Sequence, residues 1–284
     1  MQIISGKEIA EKIIQTELIP RVDKLKKQNI TPKLVVILIG EHPASASYVR
    51  QKEKFAKQAG IESEVRQFDE TISEEEILSE IEKINEDSKI HGIIVQLPVP
   101  KHISVQKILR AIAPAKDVDG FTPENVGKLF LGEETLQSCT PKGIIRMIEE
   151  SGEELTGKRV VVVGRSNIVG KPVAALCLNK NATVTVCHSK TKNLKKHLKT
   201  AEIVIVAVGR PEFIRGEDLP AGAVVIDVGI HRKEDGKLCG DVHFDSAKEV
   251  VSKISPVPGG VGPMTVVSLI ENTVIAAESM NNKQ

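Results

Sequence analysis

Apolar runs alternate along the first half of the chain with segments whose apolar residues recur at helical spacing. The runs at residues 34–39 and 93–97 end at Gly40 and Pro98, with a strand-like segment between them at 62–68. Uninterrupted apolar runs are typical of strands that are buried on both faces of a parallel sheet. Helices are predicted at residues 7–28 (interrupted by Pro20), 45–59, from the capping box Ser73/Glu76 onward, and 104–112.

The same alternation continues in the second half, after a turn-rich link at residues 114–140. Strands alternating with helices predict an α/β protein with parallel sheets, and the length of 284 residues allows two domains. The predicted strands of this half are residues 159–163, 183–187, 203–206 and 224–227, and further helices are predicted at 141–150 and, amphipathic, at 264–279.

Residues 155–201 contain no Asp or Glu but ten Lys and Arg. This window holds a strand, a turn from Gly164 to Gly170, and a helix that begins near Pro172. Such a turn presents backbone N–H groups and a helix dipole to a phosphate group. The alternative is an ordinary βα turn followed by a solvated lysine-rich helix face.

The end of the second strand of this window points to NADP. An NAD site has an acidic residue there, which binds the ribose hydroxyls. Here the position holds Ser189 and Lys190, with Arg165 in the first turn, so a 2′-phosphate is favoured. The turn is not G-x-G-x-x-G, because residue 166 is Ser, and it does not have the spacing of a P-loop.

Composition excludes several other classes of protein. The net charge of +1 gives no overall attraction to nucleic acid or membrane, and the basic window has no aromatic residues on which bases could stack. No apolar run approaches 18 residues, and the first ten residues do not form a secretory signal. The four widely spaced cysteines favour a reducing compartment, and no spaced set of ligands predicts a metal site.

Four further features lie outside the nucleotide half or at its end. Tyr48 and Lys52 share one face of a predicted helix. Gln96 ends a predicted strand, where ligands bind in open α/β sheets. Asp117 and Asp119 precede Gly120, which is typical of a simple Asp-Gly turn. The loop at 258–263, with three Gly in four residues, predicts a backbone surface against a ligand.

Together these segments identify a resemblance. The chain resembles the bifunctional methylenetetrahydrofolate dehydrogenase/methenyltetrahydrofolate cyclohydrolase family over essentially its whole length. The stretches that carry it are 48–52 (YVRQK), 95–98 (VQLP), 116–120 (KDVDG), 139–143 (CTPKG), 164–170 (GRSNIVG) and 258–265 (PGGVGPMT).

The resemblance implies oxidation of 5,10-methylenetetrahydrofolate to the methenyl form with NADP, followed by hydrolysis to 10-formyltetrahydrofolate, in one-carbon metabolism. It implies that Lys52 is the catalytic lysine with Gln96 bonded to it, that Tyr48 stacks on the folate, and that Asp119 holds the pterin. The expected NADP contacts are Gly164, Arg165, Ser166, Ser189 and Ile230, and Pro258, Gly259 and Gly260 are expected to face the substrate.

The resemblance also implies two α/β domains with a cleft between them, the second a Rossmann-like doubly wound parallel sheet. We expect residues 1–120 plus 266–284 to form the folate-binding domain and 121–265 the NADP-binding domain. The family is typically a cytosolic homodimer. Two alternatives stay open: a dehydrogenase without the hydrolase activity, and a non-catalytic NADP-binding regulator on the same fold.

Overall fold

The computed structural model describes residues 1–40 and 43–282, apart from the side chains of residues 43–48. It is an α/β protein with parallel sheets, as predicted. The chain divides into a first unit, residues 12–139 with 266–284, and a second unit, residues 1–11 with 140–265. Compared with the expected boundaries, residues 1–11 lie in the second unit and residues 121–139 in the first.

The strands, in chain order, are β1 (Gln2–Ile3), β2 (Lys33–Ile39), β3 (Glu62–Phe68), β4 (Gly92–Val95), β5 (Arg159–Val163), β6 (Thr183–Cys187), β7 (Ile203–Val206), β8 (Val224–Asp227), β9 (His231–Arg232), β10 (Leu238–Cys239) and β11 (Lys253–Ile254). The helices are α1 (Gly6–Ile13), α2 (Ile19–Lys26), α3 (Pro43–Ala59), α4 (Glu74–Glu86), α5 (Val105–Ala111), α6 (Pro123–Leu131), α7 (Cys139–Glu150), α8 (Gly170–Asn179), α9 (Leu194–Leu198), α10 (Phe244–Ala247) and α11 (Val261–Asn281). Short 3₁₀ turns lie at Pro114–Lys116 and Gly216–Asp218.

Pro20 does not break the first helical segment. A π-helical turn, Ile14–Leu18, joins α1 to α2, and Pro20 lies in the first turn of α2. Proline has no N–H to donate to the preceding turn, and a wider turn is a common way for a helix to accommodate that loss. The predicted interruption is therefore a local widening of one continuous helical segment.

The first unit contains a three-stranded parallel sheet in the order β3-β2-β4. Its core is aliphatic, because α4 places Ile77, Ile81 and Ile84 against the apolar strands. The predicted capping box at Ser73 and Glu76 is present at the start of α4. The paired parallel strands β2 and β4 end at the same edge of the sheet, where Gln96 N donates to Ile37 O at 2.9 Å.

The second unit contains a six-stranded parallel sheet in the order β1-β11-β8-β7-β5-β6. After β5 the chain adds β6 on one side and then β7 on the other, so the strand order reverses at β5. Ligands of open α/β sheets bind outside the carboxyl ends of the strands at such a switch point. Strands β1 and β11 complete the sheet but were not predicted, because two residues are too short to show an alternating pattern.

The last helix differs from its prediction in length and exposure. It begins at Val261 and extends to Asn281, and most of its sides are buried, so it is not amphipathic. A helix that is apolar all round is typical of a protein core. Its residues from Val266 onward belong to the first unit.

Candidate active site

Lys52 and Gln96 form the centre of the candidate site in the first unit. Lys52 lies on α3 with 7% of its surface exposed, and its Nζ donates to Gln96 Oε1 at 2.8 Å. The amide of Gln96 is itself oriented, because its Nε2 donates to the carbonyl of Leu97 at 2.9 Å. The contact that the resemblance implied between these two side chains is therefore present.

Burial sets the electrostatics of this pair. Desolvation lowers the pKa of Lys52 below its ordinary value, while Asp119 and Cys139 act in the opposite direction. Desolvation raises the pKa of Asp119 to about 6, which Asp117 reinforces and the Lys52 charge opposes. A buried lysine with a lowered pKa can be present as a neutral amine and so accept a proton.

The two aspartates of the 116–120 stretch have different roles. Asp117 is buried and accepts hydrogen bonds from Gly120 N at 3.0 Å, Thr122 N at 2.7 Å and Asn125 Nδ2 at 2.9 Å. Its carboxylate holds the turn, as expected for an Asp-Gly turn. Asp119 is left as the carboxylate that acts electrostatically on Lys52.

Asn272 is a residue of this site that the sequence did not reveal. It is fully buried on α11, and its Nδ2 donates to Val118 O at 2.9 Å and Gln137 O at 2.8 Å. The Cys139 thiol donates to the same Val118 carbonyl at 3.1 Å. These bonds fix the backbone just before Asp119. An Asn on the mostly buried helix α11 was the available signal, because a buried amide requires partners.

Tyr48 belongs to α3, but its side chain lies outside the described residues. Its stacking on the folate therefore stays a prediction. The spacing of four residues from Lys52 on one helix still places both positions on the same face.

The turn after β5 in the second unit has the form of a phosphate cradle. Gly164 has φ +135°, and a Cβ there would overlap the carbonyl oxygen of Ala207. Ser166 replaces the usual second glycine, and its Oγ accepts from Val169 N at 3.1 Å and Gly170 N at 3.3 Å just before α8 and at its first residue. Among the described residues, the N–H groups of Arg165 and Ser166 have no hydrogen-bond partner. These groups fit a phosphate.

The residues expected to bind the 2′-phosphate follow neighbouring strands. Strands β5 and β6 are paired, and Gly164 N donates to Cys187 O at 2.8 Å, so the segments carrying Arg165 and Ser189 start side by side. Both side chains are exposed, and Arg165 forms no ion pair with any residue that the structure describes. Ile230 follows β8 and is 51% exposed. The arrangement fits a ligand with several phosphate groups.

The Gly/Pro loop is partly explained by packing. Gly260 is buried, and a Cβ on Gly6 would overlap its carbonyl. The carbonyl of Gly259 accepts from Lys7 N at 3.0 Å, and Gly259 has φ +98° with open space around its Cβ position. Pro258 is exposed. The loop therefore closes against the first turn of α1, and Pro258 and Gly259 are its accessible part.

Comparison with known proteins decides the family. The catalytic-domain model of tetrahydrofolate dehydrogenase/cyclohydrolase matches residues 4–119, and the NAD(P)-binding-domain model of the same family matches residues 138–281. The Bifunctional protein FolD of Bacillus subtilis (strain 168) is 55% identical over 276 residues, which cover 97% of each chain. The chain belongs to the tetrahydrofolate dehydrogenase/cyclohydrolase family. It is a bifunctional dehydrogenase and cyclohydrolase of folate one-carbon metabolism.

Solved structures of family members agree in fold over almost the full length. The bifunctional FolD enzyme of Campylobacter jejuni is 45% identical with a TM-score of 0.96, covering 98% of this chain and 99% of that one. The Trypanosoma brucei enzyme, solved with NADP cofactor and inhibitor, is 39% identical with a TM-score of 0.91, covering 98% of this chain and 97% of that one. The Rossmann-like assignment of the second unit is confirmed.

The described residues contain neither a metal-binding cluster nor a membrane-spanning helix. No group of three or more His, Cys, Asp or Glu that could hold a metal ion occurs in the part of the chain that the structure describes. Within residues 1–40 and 43–282, no helix has the length and apolar character needed to cross a membrane.

The raised pKa of Asp119 predicts an acid limb in the dehydrogenase activity. The carboxylate becomes protonated as the pH falls from 7 to 5, so we expect kcat/KM for the folate to fall about tenfold per pH unit below pH 6. Because transfer of a hydride requires no protein base, we expect this activity to report on Asp119, which the resemblance assigns to the pterin, rather than on Lys52. Asp119→Asn should lower the plateau by about 10- to 100-fold, the value of a hydrogen bond to a charged group, and flatten the limb. Steady-state rates from pH 5 to pH 8 test this, and an unchanged limb in the variant would assign it to another group.

Proposed function

We propose that this chain oxidises 5,10-methylenetetrahydrofolate with NADP and hydrolyses the methenyl product to 10-formyltetrahydrofolate, with Lys52 as the proton acceptor of the second step. The observation that carries this assignment is the 2.8 Å contact between the buried Lys52 Nζ and Gln96 Oε1. A buried amine held by a neutral amide, rather than by a carboxylate alone, retains access to its uncharged form.

The first step depends on positioning. NADP, when bound, accepts a hydride from the methylene carbon, so the protein must align the two reactants. We assign the pterin to the Asp119 carboxylate and ring stacking to Tyr48. The turn at Gly164, the N–H groups of Arg165 and Ser166, and the side chains of Arg165 and Ser189 would hold the phosphates of NADP, with Ile230 as a further coenzyme contact. Pro258, Gly259 and Gly260 are assigned to the folate substrate.

The second step requires a base that does not repel its substrate. The methenyl compound is a cation, which a protonated Lys52 would disfavour. Water adds to the methenyl carbon between N5 and N10, and the neutral Lys52 amine takes a proton from this water. Gln96 holds the amine without adding charge. The bond between the methenyl carbon and N5 then breaks as the new hydroxyl loses its proton and N5 gains one, which leaves the formyl group on N10. The proton taken up by Lys52 is released to solvent, so the net reaction consumes one water and releases one proton.

We further propose that the protein is a cytoplasmic homodimer. Among the strands that the structure describes, β6 lies at an edge of its sheet and pairs only with β5. Val186 on β6 is 39% exposed, and Leu178 on the preceding helix is 63% exposed. Such an edge is normally covered. All four cysteines are buried and none of them forms a disulfide, which suits a reducing compartment.

One assay with the purified protein tests the two activities separately. We expect methenyltetrahydrofolate to accumulate from the methylene compound with NADP, and much more slowly with NAD. We also expect the protein to accelerate decay of added methenyltetrahydrofolate when no nucleotide is present. Formation without accelerated decay would indicate a dehydrogenase alone, and the lack of both would leave the non-catalytic regulator.

A further inference from the structure

A second buried carboxylate cluster lies in the second unit, at the carboxyl edge of its sheet. Asp241 has no exposed surface, and its carboxylate accepts three consecutive backbone N–H groups: Oδ2 accepts from Val208 at 2.6 Å and Gly209 at 3.0 Å, and Oδ1 from Arg210 at 2.8 Å. His231 Nε2 lies 2.8 Å from Oδ1. One side chain therefore fixes the loop that follows β7.

That loop adjoins the coenzyme turn. Ala207 N donates to Val163 O at 2.8 Å, and Gly164 must lack a side chain because a Cβ there would overlap the Ala207 carbonyl. Strands β5 and β7 flank the switch point of the sheet, and the loops after those two strands line the crevice where ligands of such sheets bind. The loop at 207–210 therefore forms one side of this crevice.

Asp227 extends the cluster to the next strand. Its carboxylate accepts from Gly229 N, Asp241 N and Val242 N, each at 2.9 Å. It thereby holds both the backbone of Asp241 and the segment after β8, which carries Ile230. The two carboxylates connect the loops after β7 and β8 through hydrogen bonds to backbone N–H groups.

A carboxylate near a phosphate-binding site is unusual, because like charges repel. An exposed Asp would repel the diphosphate, but Asp241 is enclosed, and its charge is taken up by three N–H donors and an imidazole. It can therefore fix the backbone without presenting negative charge to the crevice. Apolar replacements could not satisfy three consecutive buried N–H groups.

We propose that Asp241 is a positioning residue for the coenzyme: it holds the loop at 207–210 in the conformation that NADP binding requires. The proposal rests on the proposed function, in which NADP occupies the turn at Gly164. The proposal predicts that loss of the Asp241 carboxylate impairs the NADP-dependent oxidation but not the hydrolysis of the methenyl compound, because hydrolysis uses no nucleotide.

The test is Asp241→Asn, in which an NH₂ group replaces one acceptor oxygen and faces backbone donors. We expect the Kd for NADP, measured by calorimetry, to rise at least tenfold. Nucleotide-free hydrolysis of methenyltetrahydrofolate should stay within twofold of the unaltered protein. The matched control is Asp218→Asn in the same unit, where the carboxylate also accepts a backbone N–H, from Arg215 at 3.0 Å, on the segment before β8. The control should leave both measurements unchanged.

The outcomes are distinct. An Asp241→Asn protein that binds NADP with unchanged Kd overturns the inference, whereas an unaltered protein without dehydrogenase activity overturns the proposed function instead. If Asp241→Asn loses hydrolysis as well and melts at lower temperature, Gly209→Ala decides. Gly209 has φ +68° with open space around its Cβ position, so this variant disturbs the loop alone. At least fivefold weaker NADP binding with normal hydrolysis supports the inference, and unchanged binding overturns it.

Discussion

Replacing Lys52 by methionine is expected to reduce hydrolysis of methenyltetrahydrofolate by about 10³-fold or more, the range for loss of a positioned general base. Methionine has a similar length and no amine, so the buried position stays filled while the proton acceptor is removed. NADP binding should be unchanged, because no residue of the turn at Gly164 is altered. Stopped-flow decay of the methenyl absorbance without nucleotide measures the first effect, and calorimetry the second.

Lys54→Met is the matched control. Lys54 lies on the same helix and is exposed. It is two residues from Lys52, so the two side chains do not share one face of the helix. We expect near-normal hydrolysis from this variant. Retained hydrolysis in Lys52→Met would refute the assignment of the base. Loss in both variants would indicate that α3 itself, rather than the amine, was disturbed.

Replacing Arg165 by alanine is expected to weaken NADP binding by roughly 10- to 150-fold while NAD binding changes little. A charge-assisted hydrogen bond to phosphate contributes about 1.5–3 kcal/mol to binding. NAD has no 2′-phosphate, so it does not make this contact and its binding should not depend on Arg165. Arg165 is exposed and forms no ion pair with the described residues, so its loss should not affect folding. Titration of the variant with both coenzymes gives the selectivity directly.

The control for Arg165 is Arg159→Ala at the other end of the same strand. Arg159 Nε donates to Thr200 O at 2.7 Å, away from the turn. Its removal should not alter the ratio of the two affinities. Equal weakening of NADP and NAD in Arg165→Ala would place the 2′-phosphate on other residues, with Ser189 and Lys190 as the next to examine.

The sequence predicted the parts of the fold that depend on local pattern. Strands such as β2 and β5 are continuous apolar runs, so their burial on both faces can be recognised without a structure. Strands β1 and β11 could not be found in this way, because each contributes two residues and exists only by pairing with distant segments. The division of the chain likewise depends on where residues 1–11 pack.

The candidate site shows the same limit in its chemistry. Lys52 and Gln96 could be predicted because a family pattern surrounds them, and their contact is confirmed. The residues alone do not distinguish Asp117 from Asp119, since both lie in one short turn, and only the resemblance singled out Asp119. Asn272 and Asp241 act by satisfying backbone groups far along the chain, and no local pattern reveals such partners.

The last helix has a consequence for protein synthesis. Asn272 donates hydrogen bonds to the carbonyls of Val118 and Gln137. The segment that carries Asp119 therefore lacks these hydrogen bonds until about 150 further residues have been translated. At roughly 5–20 residues per second, this interval lasts on the order of ten seconds. A nascent chain that already contains Lys52, Gln96 and Asp119 is therefore expected to be inactive on the ribosome, and chains arrested before α11 should remain so.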